Sequence, residues 1–330
     1  MSYKRLSNYI ESFSLYSAIR GGSRVFSPKD QCWCQTTSSG VSLTNDKGIN
    51  GNVGNCYPEQ LCGNCNLNFS GNCPQVGNIS SSQLLNYNKT EWNNYNKQEI
   101  NKFDPRVLIG YYCPNPFIRV GPKSDGGYIV VDGFNYDHFL SCGIADDIRF
   151  EVALLDKYPH LKCDAFDGTI NTCPKHKNIN WVNKNIGHIN SAKTTNLKPY
   201  IRNYKNIFLK MDIEGSEFNW IDSMSLENLN CFSQIVMEIH WPFDNYRCKI
   251  LKKLNQTHYV THIHGNNYSG TLIINHSNYP TIKLPEVFEI TYVRKNNFLK
   301  KLNKIGKKYP TPLDSPNNPN EQDIGFTISL

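Results

Sequence analysis

From about residue 105 onward, short apolar runs alternate with amphipathic stretches of helical period. Each run is bounded by polar or turn-forming residues and is too short for a helix, so it indicates a strand. We expect strands at 138–144, 161–168, 179–187, 207–213, 231–241, 257–265 and 286–293. Helical patterns occupy 147–158, a stretch from about 215, and 246–254. This alternation predicts an α/β fold with a mostly parallel sheet and helices on both faces.

Polar side chains and a glycine stand at the ends of several predicted strands. In open α/β sheets, ligands bind outside the carboxyl ends of the parallel strands. The strand-end residues Gly143, Asp167, Asp212, Glu238 and His240 therefore fall on one rim. A carboxylate at the end of a buried strand is costly unless it is paired, binds a metal or faces a solvated cleft. The rim is where we expect a site.

The stretch LKMDIEGSEFNWI (209–221) places three acids where a buried strand turns into a helix. Gly215 permits a positive φ or a close approach of the backbone to a ligand. Glu214 and Glu217 also have a purely structural interpretation, because negative charge is favourable in the first turn of a helix. For Asp212, which lies inside the apolar run, a functional role is the stronger interpretation.

Other strand ends carry further candidates. Asp167 closes the strand CDAFDG, where an acid in a dinucleotide-type fold accepts hydrogen bonds from ribose hydroxyls, although Asp before Gly is also an ordinary turn. Glu238 and His240 alternate along IVMEIHW and so point to the same side of their strand. A histidine beside a glutamate on this rim is a candidate catalytic base, with a structural role as the alternative. His264 and Asn266 add polar groups at another strand end.

These motifs resemble the signature of FkbM-type methyltransferases and of the related methyltransferase-like domains of animals. LKMDIEGSEFNWI and QIVMEIHW carry the resemblance most specifically. RVGPKSDGGYIVVDG (119–133) and FLSCGIADDIRFE (139–151) are similar to the opening of those domains. HIHGNN (262–267) and PEVFEITYVR (285–294) are similar to their closing segments. The resemblance covers about residues 105–295, in order.

The resemblance implies a class I, Rossmann-like fold that binds S-adenosylmethionine and transfers a methyl group, usually to oxygen. Sugar hydroxyls are frequent acceptors in this family, so the implied acceptor is a sugar hydroxyl of a glycan or sugar nucleotide. Gly143, with Ile144 and Asp147 of the SCGIADD turn, would lie under the methionine part of the cofactor. Asp167 would take the ribose hydroxyls, and Asp212 would flank the transferred methyl group.

Glu214 would lie with Asp212 at the methyl-transfer centre, and Glu238 and His240 would lie on the acceptor side. The methyl group of a sulfonium is already electrophilic, so the main task of the enzyme is to align donor and acceptor. A hydroxyl acceptor also needs a base or a metal as its proton leaves. His240 is the expected base, with Asp212 next. In the alternative, Asp212, Glu238 and His240 together hold a divalent cation.

A competing interpretation belongs to a different class of function. The SCGIADD turn has one glycine where the usual cofactor loop of the family has several. In this interpretation the chain is a catalytically inactive structural or interaction protein, such as a virion component, that keeps the fold. The 42 asparagines, with abundant Lys, Ile and Tyr, are typical of the AT-rich coding of giant DNA viruses and some protists. The retained acids of the rim favour the enzyme.

The first hundred residues differ in character. Residues 1–20 predict a short amphipathic helix, and residues 28–82 are rich in Gly, Asn and Ser with few aliphatics, so we expect no regular structure there. Six of the twelve cysteines fall in this segment, at Cys32, Cys34, Cys56, Cys62, Cys65 and Cys73. Disulfides and zinc are both candidate staples, with disulfides favoured. Cys142, Cys163, Cys231 and Cys248 are expected in the core.

The sequence therefore divides into an N-terminal helix, Cys-rich segment and linker (1–104), a methyltransferase domain (105–295) and a basic tail (296–330). The net charge of +7 equals the seven basic residues between Arg294 and Lys308, a stretch without acids. Such a run is typical of a solvated tail and, without a stacking platform, does not indicate nucleic-acid binding.

The expected cellular context follows from what the sequence does not contain. No signal-peptide core and no apolar run of bilayer-spanning length occurs, so we expect a soluble protein. If the source is viral, its location is the host cytoplasm or the virion. The N-terminal segment is the candidate for contacts with a second copy or with virion partners.

Overall fold

The computed structural model describes residues 16–18, 22–27, 32–37, 40–44, 50–52, 100 and 102–329, with side chains described for residue 100 and for 102–329. The chain divides into two compact units, Met1–Asn101 and Lys102–Leu330.

In the N-terminal unit, five short strands form an antiparallel sheet in sequence order. They are β1 (Tyr16–Ala18), β2 (Gly22–Ser27), β3 (Cys32–Thr37), β4 (Gly40–Thr44) and β5 (Asn50–Asn52). The prediction that residues 28–82 lack regular structure is therefore wrong for β3, β4 and β5. Antiparallel neighbours can be joined by short connections, so their ladders need no long apolar pattern in the sequence. β1 is also a strand where the sequence predicted a helix.

The remaining predictions for this unit concern residues that the structure does not describe. The rest of the predicted helix at 1–20 lies outside the described residues. The same holds for Cys56, Cys62, Cys65 and Cys73, so the choice between disulfides and zinc stays a prediction.

The second unit contains the predicted alternation of strands and helices. In chain order its strands are β6 (Gly110–Tyr111), β7 (Phe117–Val120), β8 (Tyr128–Val131), β9 (His138–Cys142), β10 (Cys163–Phe166), β11 (Ile179–Val182), β12 (Asn185–Ile186), β13 (Thr194–Thr195), β14 (Ile207–Met211), β15 (Phe232–His240), β16 (His258–Gly265), β17 (Thr271–Ile274), β18 (Ile282–Pro285), β19 (Val287–Arg294), β20 (Lys304–Ile305), β21 (Lys307–Tyr309) and β22 (Phe326–Ile328). Its α-helices are α1 (Arg149–Lys157), α2 (Lys198–Ile201), α3 (Glu217–Ser223), α4 (Leu226–Leu229) and α5 (Asn245–Thr257). Among the described residues, no helix is long and apolar enough to cross a membrane.

Seven of these strands form one central sheet in the order β11-β10-β9-β14-β15-β19-β16. The pairs from β11 to β15 are all parallel, and β19 runs antiparallel to both β15 and β16. The chain moves outward from β9 to β11 and then resumes at β14 on the other side of β9. The carboxyl ends of β9 and β14 therefore mark the topological switch point, where ligands bind in such sheets. The expected mostly parallel, Rossmann-like sheet is confirmed.

The central strands are buried along their whole length, which explains their continuous apolar runs. Every residue of β9, β14 and β15 is buried. Because successive side chains point to opposite faces of a strand, both faces of this part of the sheet are covered. Phe150 of α1 packs against Phe208 of β14 with ring centroids 6.1 Å apart, and Trp220 of α3 packs edge-on against Phe232 at 5.7 Å. Cys142, Cys163 and Cys248 are buried as predicted, whereas Cys231 is half-buried.

The residues after 295 fold against the same sheet, which differs from the solvated tail that their charge indicated. β20 pairs with β6, and β21 pairs with β22. Tyr309, Phe326 and Ile328 are buried, while lysines of the basic run such as Lys300 and Lys301 point to solvent. The run therefore forms the charged outer surface of a packed segment. We call residues 304–328 the C-terminal segment.

Candidate functional site

The two strand ends at the switch point are in backbone contact. Gly143, directly after β9, has φ +75°, and a Cβ built on it would lie 1.6 Å from the carbonyl oxygen of Asp212. The amide of Asp212 donates to the carbonyl of Cys142 at 2.9 Å, and the amide of Gly143 donates to that of Phe166 at 2.9 Å. Only glycine fits this position, both for its φ and for its contact. The single glycine of the SCGIADD turn therefore stands where two central strands meet.

Asp167 ties this turn to the neighbouring strand. Its Oδ2 accepts from the amide of Ala145 at 2.8 Å, and its Oδ1 accepts from the amide and hydroxyl of Thr169 at 2.8 and 2.6 Å. The side chain is buried at the end of β10. A carboxylate has about four acceptor positions, and these hydrogen bonds from Ala145 and Thr169 already occupy three of them. The structure places Asp167 beside the Gly143 turn, as expected. Its hydrogen bonds also stabilise that turn.

The two other predicted residues of the turn have different surroundings. The side chain of Ile144 is buried in the apolar core with Phe150 and Leu154. Asp147 lies at the protein surface and pairs with Arg149, with Oδ2 2.6 Å from Nη2. The hydrogen bonds from Arg149 lower the pKa of Asp147. This carboxylate is engaged with its neighbour at the start of α1.

Three predicted catalytic residues come together at the ends of β14 and β15. Asp212, Glu238 and His240 each offer one ligand atom, and these atoms lie within 4.8 Å of one another. Glu238 and His240 are buried, and Asp212 is partly exposed. Glu214 lies beside them with Oε2 3.6 Å from His240 Nε2, its side chain 56% exposed. The constellation that the strand pattern predicted is present.

His240 lies between two buried carboxylates. Its Nδ1 is 3.1 Å from Glu217 Oε1, and its Nε2 is 3.3 Å from Glu238 Oε1. Burial by itself lowers the pKa of His240, but Glu217 and then Glu238 outweigh it and raise that pKa well above its ordinary value. A histidine in this position is held as an imidazolium, with an N–H directed at a carboxylate on each side. It is poorly suited to accept a proton.

Glu217, for which the sequence left a structural and a functional interpretation open and which was not among the predicted site residues, belongs to this cluster. It is fully buried, and its Oε1 also accepts from the amides of Gly215 at 3.1 Å and Ile213 at 3.3 Å. Glu217 therefore caps the turn before α3, as its position in the first turn indicated, and contacts His240 with the same oxygen. No sequence signal connects Glu217 with a histidine on a later strand.

The two carboxyl groups at the centre of the site are both harder to ionise than usual. Burial raises the pKa of Glu238 to about 6, against the opposing effect of His240. Burial and then the charge of Glu238 raise the pKa of Asp212 well above its usual range. Asp212 Oδ1 is buried without a hydrogen-bond partner, whereas both oxygens of Glu238 accept from Asn266 Nδ2 at 3.2 Å. Neighbouring carboxyls of this kind share a proton unless a cation replaces it.

The donor set of Asp212, Glu238 and His240 is chemically compatible with a divalent cation. Carboxylate oxygens with one imidazole nitrogen suit Mn²⁺ and related ions, and Asp212 Oδ1 is an acceptor without a partner. A cation would need His240 to lose the proton that Glu217 and Glu238 favour. Metal and protons therefore compete for the same atoms.

His264 and Asn266, which the sequence placed at another strand end, have separate roles. Glu238, Glu289 and His264 are successive partners across β15, β19 and β16, so they form a row across the sheet. His264 contacts Glu289 Oε2 and Asp323 at 3.1 Å each. These carboxylates overcome the effect of burial and raise the pKa of His264 to about 10. His264 thus joins the C-terminal segment to the row, while Asn266 orients Glu238.

The sequence matches no protein-family model and no curated protein. The solved structures that match part of the chain include two of low sequence identity. A fibrillarin/Nop5p complex structure aligns with 48% of this chain and 72% of that chain, with 12% identity and a TM-score of 0.30. A putative methyltransferase from Thermoplasma acidophilum aligns with 59% of this chain and 93% of that chain, with 9% identity and a TM-score of 0.28.

Proposed function

We propose that residues 102–329 form an S-adenosylmethionine-dependent O-methyltransferase whose acceptor is a sugar hydroxyl of a glycan or sugar nucleotide. The observation that carries the proposal is the cluster of Asp212, Glu238 and His240, within 4.8 Å of one another, beside the Gly143 turn. The cluster lies at the switch point of a Rossmann-like sheet, where a nucleotide-type cofactor binds. The choice of a sugar rests on the resemblance of the sequence motifs described above.

The groups that face the rim support a proposed place for the cofactor. The backbone of the Gly143 turn would lie under the amino-acid part, and the remaining acceptor capacity of Asp167 would serve the ribose hydroxyls. Glu214, which is half exposed beside His240, would lie at the edge of the methyl-transfer centre. The bound cofactor supplies an electrophilic methyl group on a sulfonium. The residues of the rim then have to orient an acceptor oxygen in line with it.

The acceptor hydroxyl loses its proton as the new C–O bond forms. Sequence reasoning chose His240 as the base, but the two carboxylates that flank it favour another division of roles. We assign Glu238 as the base that takes the proton of the acceptor hydroxyl. Asp212 is the neighbouring carboxyl group with which Glu238 shares that proton. His240, held between Glu217 and Glu238, keeps Glu238 in place and offsets its charge. A divalent cation on the same three residues is the alternative means of lowering the acceptor's pKa.

Calorimetric titration with S-adenosylmethionine and S-adenosylhomocysteine tests the proposal. We expect micromolar binding by the wild type and by Asp222→Asn, which changes an exposed acid in α3. We expect Asp167→Asn to weaken binding, because the amide cannot serve ribose hydroxyls and the turn together. Absence of binding by folded protein would exclude the enzyme and leave the inactive-fold interpretation.

With binding established, methyl transfer to a panel of neutral sugars and sugar nucleotides tests the acceptor. Glu238→Gln should then bind cofactor normally but transfer methyl groups at least about 100-fold more slowly, the usual contribution of a general base. Equal rates for the wild type and Glu238→Gln would overturn the assignment of the base.

A further inference from the structure

A buried lysine lies under the Gly143 turn. Lys210 is in β14, and the residue is only 6% exposed. It is the partner of Ser141 in β9 and of Val236 in β15, so it occupies the middle of the sheet beside the switch point. Its Nζ donates a hydrogen bond to the carbonyl of Gly143 at 2.7 Å. The ammonium therefore reaches the turn where the site begins.

This ammonium lacks a partner of opposite charge at contact distance. Across residues 102–329, Lys210 makes no ion pair within the 4.0 Å limit that defines one. Three carboxyl groups interact with it only at longer range: Glu151 of α1, Asp147 and Asp212. Glu151 Oε1 also accepts from the hydroxyl of Ser141 at 2.5 Å. An ammonium has three donors, and the carbonyl of Gly143 takes one. A buried cation without a contacting anion is costly, so the site is complete only when an anion joins it.

The position limits which anion this can be. The Gly143 turn leads into α1, whose N-terminus at Arg149 favours negative charge nearby. In the function proposed above, the amino-acid part of the cofactor lies over the same turn, and its only anionic group is the α-carboxylate. A carboxylate at Lys210 would leave the rest of the cofactor directed toward Asp167 on one side and Asp212 on the other.

We propose that Lys210 anchors the α-carboxylate of S-adenosylmethionine; the proposal rests on the proposed function. Lys210 thereby recognises the amino-acid end of the cofactor, whereas the acids of the rim serve the ribose and the reacting atoms. The glycine-poor turn has fewer flexible backbone positions to wrap the amino-acid end, and a charged side chain from the neighbouring strand takes over that task.

The test compares S-adenosylmethionine with decarboxylated S-adenosylmethionine, which differs only in lacking the carboxylate. We expect calorimetry to show the wild type binding the complete cofactor about 10- to 100-fold more tightly, the range for a hydrogen bond to a charged group. In Lys210→Met this preference should fall to about twofold or less, with the decarboxylated ligand bound as before. Lys210→Arg should keep part of the preference, and Lys162→Met, at an exposed lysine before β10, should keep all of it.

The possible results separate the two proposals. If the wild type binds neither ligand, the proposed function fails and this inference fails with it. If the wild type binds both equally, or if Lys210→Met keeps the full preference, a cofactor site exists but Lys210 is not its carboxylate anchor. Equal weakening of both ligands in Lys210→Met shows a purely structural role and also overturns the inference. If Lys210→Met fails to fold, equal binding of both ligands by the wild type still overturns the inference, and so does a preference in Lys210→Arg as large as that of the wild type.

Discussion

Gly143 and Asp212 meet backbone to backbone at the switch point, so closely that a Cβ on Gly143 would lie 1.6 Å from the Asp212 carbonyl oxygen. That oxygen cannot move aside as the end of a flexible side chain can, because the amide of Asp212 is bonded to β9. The close contact between the two central strands is therefore possible only because residue 143 carries a hydrogen atom in place of a side chain.

Gly143→Ala should consequently destabilise the protein by more than ~3 kcal/mol, since steric overlap with a backbone atom adds to the cost of a positive φ. Gly126→Ala is the matched control, because Gly126 has φ +81° but its Cβ would meet nothing closer than 4.0 Å. The control should lose only about 1–2 kcal/mol, the cost of the left-handed backbone. Chemical denaturation of both variants measures the difference, and equal losses would show that the contact with Asp212 is unimportant.

Glu217→Gln should lower the pKa of His240, because it removes the larger of the two charges that hold the imidazolium. The glutamine oxygen can still accept from the amide of Gly215, so the loss of stability should stay at about 1–3 kcal/mol. Imidazole ¹⁵N shifts followed against pH report the titration directly. Glu227→Gln, in the exposed first turn of α4, is the control and should leave His240 unchanged. An identical titration in Glu217→Gln would show that Glu217 does not set the charge of His240.

His258 should make stability fall in mildly acidic solution. Burial lowers its pKa from 6.5 to about 4, against the opposing hydrogen bond to the carbonyl of Phe232. Between these values the unfolded chain binds a proton that the folded protein does not, so stability decreases as pH falls from 6.5 to 4. The shift corresponds to about 3 kcal/mol. Unfolding free energies of the wild type and His258→Gln across this range measure it.

The variant should lose most of that pH dependence, since glutamine does not titrate. His188→Gln, at an exposed histidine, should retain it. A wild-type slope that survives in His258→Gln would assign the effect to other groups.

Asn267→Ala should loosen the C-terminal segment. Asn267 is buried, and its side chain holds the backbone of Asn318 from both sides: Oδ1 accepts from the amide at 2.7 Å and Nδ2 donates to the carbonyl at 3.0 Å. Losing both bonds should cost about 2–3 kcal/mol and speed proteolytic cleavage after residue 310. Asn275→Ala, at an exposed position, is the control. Unchanged cleavage would mean that other contacts hold the segment.

The central strands could be predicted because burial on both faces leaves a direct trace in the sequence. The run predicted as a strand at 231–241 is β15, Phe232–His240, and the run at 207–213 is β14, Ile207–Met211. The hairpin β7–β8 and the strands after residue 303 were not predicted. They have two to four residues each, too few for a period of their own, and β20 pairs with the distant strand β6.

In the candidate site, too, some residues could be predicted from the sequence and others could not. Asp212, Glu238 and His240 were predicted to meet because topology alone brings strand ends to one edge. The contact of Glu217 with His240 depends on how α3 packs, which no periodicity encodes. Lys210 had a usable signal: it lies two residues before Asp212, so both side chains point to the same face of β14. A charged residue inside an apolar strand on the site face was sufficient reason to include it.

The position of β19 has a consequence for how the protein is made. β19 is the last strand of the central sheet in the chain, yet it lies between β15 and β16. Until the ribosome has released Val287–Arg294, the nine-residue strand β15 has an open edge. Open apolar edges recruit strands from other chains. Products of premature termination between residues 266 and 286 should therefore aggregate during synthesis, because only chains that extend through Arg294 can cover the open edge of β15 with β19.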